Sequence, residues 1–291
     1  MLERHKTFAK KYGLFVFAIL LLAINIFLFR LDWQNSHRGL TLAMLDVGQG
    51  DGIFIESPTG TQVMFDGGPP RSILGPLARI ISPFDKNIDA LVITNPDTDH
   101  IGGFLDVFKS YKIGVVFESG ALTDSKIYQN LRKEMKKKNI PDILARRGMR
   151  LDIGGGAVID ILFPDRDVAE WATNEGSVVA RLSYGKTSVM LMGDSTIKTE
   201  KIILSENSED QLKSTILKVG HHGSRTSSSP SFVKAVSPTY ALISDSKDNS
   251  YGHPHQETLN TLTQLGVKVL RTDLLGTMII KCDTIKKCEI N

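Results

Sequence analysis

The chain has 291 residues, room for one large domain or two small ones, and its 41% hydrophobic and 23% charged content is ordinary for a globular protein. The net charge is +3, but residues 1–30 hold Arg4, Lys6, Lys10, Lys11 and Arg30 against Glu3 alone. The other 30 basic and 31 acidic residues nearly cancel, so overall charge gives no argument for a nucleic-acid binder.

In chain order, Tyr12–Phe29 is a run of 18 uncharged, mostly apolar residues. As a helix it reaches about 27 Å, close to the ~30 Å of a bilayer core. Lys10, Lys11 and Arg30 can snorkel at its ends, and Trp33 suits an interface. The excess of Lys and Arg ahead of it predicts a single-pass cell-membrane anchor with a cytoplasmic N-terminus and an extracytoplasmic remainder. A cleaved signal peptide is the rival, but Arg30-Leu31-Asp32-Trp33 offers no small-x-small cleavage site. The expected organisation is an anchor over 1–30, a polar linker over 31–38 and a folded body over 39–291.

Within the body, Leu40–Leu45, Ile53–Glu56 and Gln62–Phe65 read as strands, the first two separated by the glycine-rich turn Asp46–Gly52. After Asp66-Gly67-Gly68 comes a helix expected over Ser72–Ile81, then a buried strand over Ile88–Thr94. A second helix is expected from Gly103 to Ser110 and a third, with a basic face, over Tyr128–Lys138. Val178–Tyr184 and Ser188–Met192 form a hairpin-like pair at Gly185-Lys186. Ile216–Val219, Tyr240–Ser244, Lys268–Leu270 and Thr277–Lys281 are further strands, with a helix over Gln256–Leu265. Two halves that each pass from β-rich to α/β suggest two sheets packed face to face with helices outside. Cys282 and Cys288 are either a bridge across a terminal turn or two free thiols, and lie too far along the chain to be metal ligands.

The most informative stretch is Asn95-Pro96-Asp97-Thr98-Asp99-His100-Ile101-Gly102-Gly103, directly after a buried strand. Four side chains with lone pairs leave the C-terminal end of that strand, where α/β folds place their sites. Asp97, Asp99 and His100 are good metal ligands and Asn95 a weak one. The bland alternative is a polar loop capping the next helix. Other strand-terminal loops carry Asp194, His221 and His222, and Tyr251-Gly252-His253-Pro254-His255, so five of the seven histidines lie in such loops. That concentration points to a site lined by imidazoles and carboxylates.

On these motifs, with Leu45–Asp51, Phe65–Gly68, Met192-Gly193-Asp194 and Leu217–Ser224, the chain resembles the metallo-β-lactamase superfamily. More narrowly it resembles the extracytoplasmic hydrolase domain of ComEC-type DNA-uptake proteins, with matches from about Leu40 to Ile280. The resemblance implies an α/β fold, a four-layer αββα sandwich with a two-metal site at one edge. The family's first motif reads His-x-His-x-Asp-His, or His-x-Asp-x-Asp-His in the ComEC-type branch, and here Asn95 stands in the first place and Asp97 in the second. Asp99 and His100 match ligands of the second metal, Asp194 the bridging aspartate and His221 the last histidine, with His222 a weaker substitute. Only Asn174 stands near the place of the superfamily's next histidine. The second position would therefore be Asp99, His100, Asp194 and His221, suited to zinc or manganese. The first would be Asn95, Asp97, Asn174 and Asp194, all oxygen, suited to a harder ion or to weak occupancy.

One or two divalent ions are thus the expected cofactors. A bound metal acidifies a water from pKa ~15.7 toward ~7, and Asp99 or Asp194 can take its proton. His253, and after it His222, can donate to a phosphoryl oxygen or to the leaving group. Asp66 and Asp51 either orient the histidines or cap turns. Lys126–Arg150 holds nine basic residues against Glu134 and Asp142, either a solvated helix face or a cradle for a phosphodiester backbone. Ser224 and Arg225 either contact phosphate or belong to a plain loop. The expected function is a membrane-anchored, metal-dependent phosphodiesterase or nuclease acting on extracytoplasmic DNA. Single-stranded DNA, the membrane and a separate DNA-uptake channel protein are its expected partners. The alternatives are a lactam, lactone or ester hydrolase on the same scaffold, and a degenerate-site nucleic-acid-binding protein.

Overall fold

The computed structural model describes residues 12–13, 15–27, 39–283 and 288–290, and the chain divides into two compact units, 1–38 and Gly39–Asn291. In the second unit the apolar runs of the first half form β1 (Leu40–Met44), β2 (Ile53–Glu56), β3 (Gln62–Phe65), β4 (Asn87–Ile93), β5 (Lys112–Glu118) and β6 (Asp142–Leu144). Those of the second half form β7 (Arg150–Gly154), β8 (Ala157–Phe163), β9 (Val179–Tyr184), β10 (Thr187–Leu191), β11 (Ile216–Lys218), β12 (Tyr240–Ile243) and β13 (Lys268–Arg271). β14 (Met278–Cys282) and β15 (Glu289–Ile290) return to the first sheet, whose order is β15-β14-β1-β2-β3-β4-β5-β6. The second sheet runs β13-β12-β11-β10-β9-β8-β7.

Each sheet changes character part-way. β1, β2 and β3 pair antiparallel, whereas β3 to β6 pair parallel. Likewise β7 to β10 pair antiparallel, and β10 to β13 parallel. Parallel pairing needs crossovers, so the helices lie between these strands, and the loops leaving their C-terminal ends share one edge.

Strand pleating sorts the side chains into layers. Leu42, Ile55, Val63 and Val92 of the first sheet meet Ile159, Leu182, Leu191 and Leu242 of the second in one buried cluster. Their chain neighbours Ala43, Phe54, Met64 and Leu91 face the other way, onto Ile101, Phe104, Val107, Leu131 and Met135 from helices. On the far side, Met190, Leu217 and Ala241 pack against Ile203, Phe232, Val233 and Leu262. The order is helix, sheet, sheet, helix, the four-layer α/β sandwich expected from the resemblance.

Two expectations change. The helix over Ser72–Ile81 shortens to the single turn Leu74–Leu77, which itself contains Gly75 and Pro76. The transmembrane helix expected over Tyr12–Phe29 is not found: among the described residues no helix is long and apolar enough to cross a membrane. Residues 12–13 and 15–27 are helical, with Phe15, Phe17, Leu22 and Phe27 exposed, and Leu14, Leu28 and Phe29 of the expected span lie outside the described residues. The linker expected over 31–38 lies outside the described residues. Cys282 and Cys288 form a disulfide with Cα atoms 4.1 Å apart, joining β14 to the approach of β15.

Candidate metal centre

Loops from both sheets interlock at the shared edge. After β4 the chain makes the helical turn Thr98–Ile101 and then the helix Phe104–Ser110. Asp51 N–H donates to the Asp99 carbonyl (3.2 Å), Gly67 N–H to that of His100 (2.6 Å) and Gly103 N–H to that of Gly68 (2.9 Å). These bonds tie the turns after β1 and β3 to the turn after β4. Gly50 sits at φ +137°, and a Cβ there would collide with the Asp99 carbonyl, so the close approach demands glycine. The loop after β11 holds His221 and His222 in the left-handed region (φ 48° and 51°), a strain of about 1–3 kcal/mol for each residue. His221 N–H is pinned to the Gly193 carbonyl (3.1 Å) next to Asp194.

These loops bring one ligand atom each from Asp99, His100, Asp194 and His222 within 4.8 Å of one another. His100 Nε2 lies 3.1 Å from Asp194 Oδ2, and His222 Nε2 lies 3.5 Å from both Asp99 Oδ2 and Asp194 Oδ1. His100 Nε2, His222 Nε2 and Asp194 Oδ1 are buried without a hydrogen-bond partner. Buried polar atoms are ordinarily satisfied, so three orphans aimed at one point fit a cation. Two imidazoles and two carboxylates are a donor set for zinc or a similar divalent ion. The far nitrogens are fixed: His100 Nδ1 meets Asp66 Oδ2 at 2.8 Å, and His222 Nδ1 lies 3.0 Å from the Ser244 carbonyl. Asp66 is itself held by Thr94, whose N–H (2.8 Å) and hydroxyl (2.6 Å) both donate to it.

Residues 45–244 match the pattern of the metallo-beta-lactamase superfamily. The chain belongs to this superfamily. Among its relatives, ComE operon protein 3 of Bacillus subtilis is 31% identical over 260 residues, covering 81% of this chain and 32% of that protein. Competence protein ComA of Neisseria gonorrhoeae is 30% identical over 234 residues, 80% of this chain and 31% of that one. The chain therefore spans about a third of the length of these relatives. The solved structure of CmlA, a diiron beta-hydroxylase of Streptomyces venezuelae, superposes with a TM-score of 0.56 at 15% identity, over 84% of this chain and 54% of that one. The metallo-beta-lactamase fold protein YhfI of Bacillus subtilis superposes at 0.52 and 13% identity, over 79% and 95%. At such identities the likeness is one of fold.

Within this superfamily fold the residues singled out from the sequence separate. Asp99, His100 and Asp194 come together, but the fourth partner is His222. His221, expected in that place, lies 3.9 Å from Asp194 Oδ2 and turns its Nε2 toward the Asn174 amide at 3.4 Å. The two histidines are consecutive, and the left-handed backbone sends only the second ring inward. Asn95 is buried, yet its amide is occupied: Oδ1 accepts from Asp97 N–H (2.9 Å) and Nδ2 donates to Ser177 (3.4 Å). Asp97 accepts a bond from Thr173 Oγ1 (2.9 Å). Asn174 Oδ1 is buried without a partner on the His221 side. Of the expected first metal position, Asn95 is thus spent on the turn and Asp97 is bonded to Thr173, Asn174 lies beside His221, and Asp194 belongs to the cluster with Asp99, His100 and His222. Asp66 and Asp51 do sit behind the rings, Asp51 3.6 Å from His222 Nδ1 and 4.0 Å from His100 Nδ1. Ser224 and Arg225 have partners within their own loop and the neighbouring one. Ser224 Oγ bonds Thr226 (2.9 Å), and Arg225 is exposed 4.0 Å from Glu257, with its N–H on His255 Nδ1 (3.2 Å).

Lys218 escaped the sequence reading. It is fully buried at the end of β11, ion-paired with Asp51, bonded to the Gly193 carbonyl (2.9 Å) and 4.0 Å from Asp194 Oδ1. Its signal was a single charge inside the apolar run Ile216-Leu217-Lys218-Val219.

Electrostatics bind proton and metal uptake together. Burial opposes charge on His100, but Asp194 and Asp66 on its two nitrogens prevail and hold its pKa well above the ordinary value. Burial is outweighed in the same way at His222, where Asp194 and Asp51 raise the pKa to about 10. Burial also disfavours the Asp194 carboxylate, yet the two rings hold it well below the usual range. A cation taking both Nε2 lone pairs must displace the proton that His222 holds up to about pH 10 and the one that His100 holds above its ordinary range. Metal affinity is therefore expected to rise with pH over about 6 to 8, by up to roughly tenfold per unit for each proton released. Calorimetry in buffers of different ionisation heat reads that release directly, and a flat affinity with no proton release would show the rings already neutral.

Proposed function

We propose that the chain is a metal-dependent phosphodiesterase that cuts DNA outside the cytoplasm. The observation that carries this reading is the convergence of ligand atoms from Asp99, His100, Asp194 and His222 within 4.8 Å of one another beside the basic helix Lys126–Lys137. That helix packs through Tyr128, Leu131 and Met135 into the cluster that holds Ile101 and Phe104, so it flanks the turn bearing Asp99 and His100. Arg132 is spent on Glu118 and Asp142, and Arg146 on the Ser119 and Ala145 carbonyls, while Lys126, Lys133, Lys136 and Lys138 are exposed for a phosphate backbone.

Asp99, His100, Asp194 and His222 would hold zinc or manganese, one tightly bound ion because Asn95 is committed to the turn. The chemistry that such an ion supplies is Lewis acidity, which acidifies water and shields the attacked oxygen. Asp99, the most exposed of the four acids and rings, takes up the proton at the mouth of the site. His253 is kept neutral because burial, then His222 and His221, push its pKa down to about 4. It serves as a hydrogen-bond donor to a phosphoryl oxygen rather than as a strong acid. His100 and His222 stay oriented by Asp66 and the Ser244 carbonyl.

Three things support a place at the outer membrane face. The relatives are competence proteins, the Tyr12–Phe29 segment is apolar with basic residues before it, and the Cys282–Cys288 bridge suits an oxidising compartment. Single-stranded DNA and a separate channel protein are the proposed partners. The test is cleavage of a labelled single strand by the purified full chain with Mn²⁺, beside a chromogenic cephalosporin. Strand cleavage that disappears in Asp99→Ala is expected. Lactam turnover without strand cleavage overturns the reading, as does DNA binding by a protein that holds no metal.

A further inference from the structure

Three rings form a ladder from the ion site to solvent. His253 lies 6.3 Å from the ring of His222 with the planes 28° apart, and Tyr251 lies 5.7 Å beyond His253 at 21°. His222 is 1% exposed and Tyr251 65% exposed, so the ladder is buried at the ion end and open at the other. Nothing in the three apolar clusters involves Tyr251. Its backbone is nonetheless held firmly. Asn249 Oδ1 accepts from the N–H groups of Tyr251 (3.2 Å) and His253 (2.9 Å), and Asn249 Nδ2 donates to the carbonyls of His253 (2.7 Å) and Ser246 (2.9 Å). A large ring displayed on a stapled turn, with its inner face stacked and its outer face in water, loses little freedom when a second ring lands on it.

We propose that Tyr251 is a stacking platform for a nucleobase next to the phosphodiester at the ion, so that the substrate is an unpaired, base-bearing polynucleotide strand. This rests on the phosphodiesterase reading above and adds the part of the substrate that the ion does not touch. Stacking favours a single strand because the bases of a duplex are already stacked on one another and unavailable to an outside ring. Every base offers a π-face, so the platform gives affinity without sequence preference.

The test compares oligo-dT with an abasic oligonucleotide of equal length. Binding is read by fluorescence anisotropy with the full chain in Ca²⁺, and cleavage separately in Mn²⁺. The wild type is expected to bind oligo-dT about tenfold more tightly than the abasic strand. That preference should collapse toward unity in Tyr251→Ala and persist in Tyr251→Phe, which keeps the ring face. A wild type without preference, or a preference undiminished in Tyr251→Ala, overturns the platform. Absence of cleavage of both strands by the wild type instead overturns the phosphodiesterase reading, while the binding ratio still reports on Tyr251.

Discussion

His222→Ala is expected to abolish tight metal binding at this centre, whereas His221→Ala is expected to leave it at reduced affinity. His222 Nε2 is buried, has no hydrogen-bond partner and faces two carboxylate oxygens at 3.5 Å. Its truncation leaves Asp99, His100 and Asp194 with one imidazole among them. His221 sits at the edge, with Nε2 shared between Asn174 and Asp194, and its Nδ1 lies 3.2 Å from Thr226 Oγ1. Its loss should weaken binding by no more than the roughly 10–100-fold seen for outer-layer partners. Elemental analysis after dialysis against Zn²⁺ or Mn²⁺ reads the difference. The wild type should retain about one equivalent, His221→Ala nearly as much, and His222→Ala under about 0.2. The opposite order would move the ion toward Asn174 and Asp97.

Lys218→Met is expected to destabilise the fold by about 3–5 kcal/mol, because it leaves the Asp51 carboxylate buried beside a missing partner. Lys218 and Asp51 are both almost inaccessible to water, with side chains 1% and 2% exposed, so solvent cannot replace the lost ammonium. For a unit of this size each kcal/mol moves the Tm by roughly 2–4 °C, so the drop should be near 10 °C. Removing both charges in Lys218→Met with Asp51→Asn should recover most of the loss, since no buried charge is then unpaired. Urea titration of the two single variants and the double reads the coupling. A loss below about 1 kcal/mol in Lys218→Met would show that the ammonium contributes no net stability.

The difference between His221 and His222 shows where the sequence stops being legible. Strand ends can be placed from apolar runs, because continuous burial demands Val, Ile and Leu and the turn demands Gly or Asp. That logic located Asp99, His100, Asp194 and the histidine pair in strand-terminal loops. It could not choose between adjacent histidines, since the choice is made by a strained left-handed backbone that only the surrounding loops hold in place. Asn95 illustrates the same limit: its amide satisfies the backbone of Asp97 and the hydroxyl of Ser177, a use invisible without the fold.

What the amino-acid order determined alone was local and periodic: the run of strands and turns, two sheets with helices outside, and a group of acids and imidazoles placed where parallel strands end. What only the tertiary structure decided was long-range partnership. Lys218 found Asp51, Thr94 found Asp66, and the Ser244 carbonyl found His222, each across a distance in the chain that no spacing rule reaches. Periodicity reports which face a residue turns to the core, but a buried charge or ring is satisfied by whichever group the packed sheets bring alongside it.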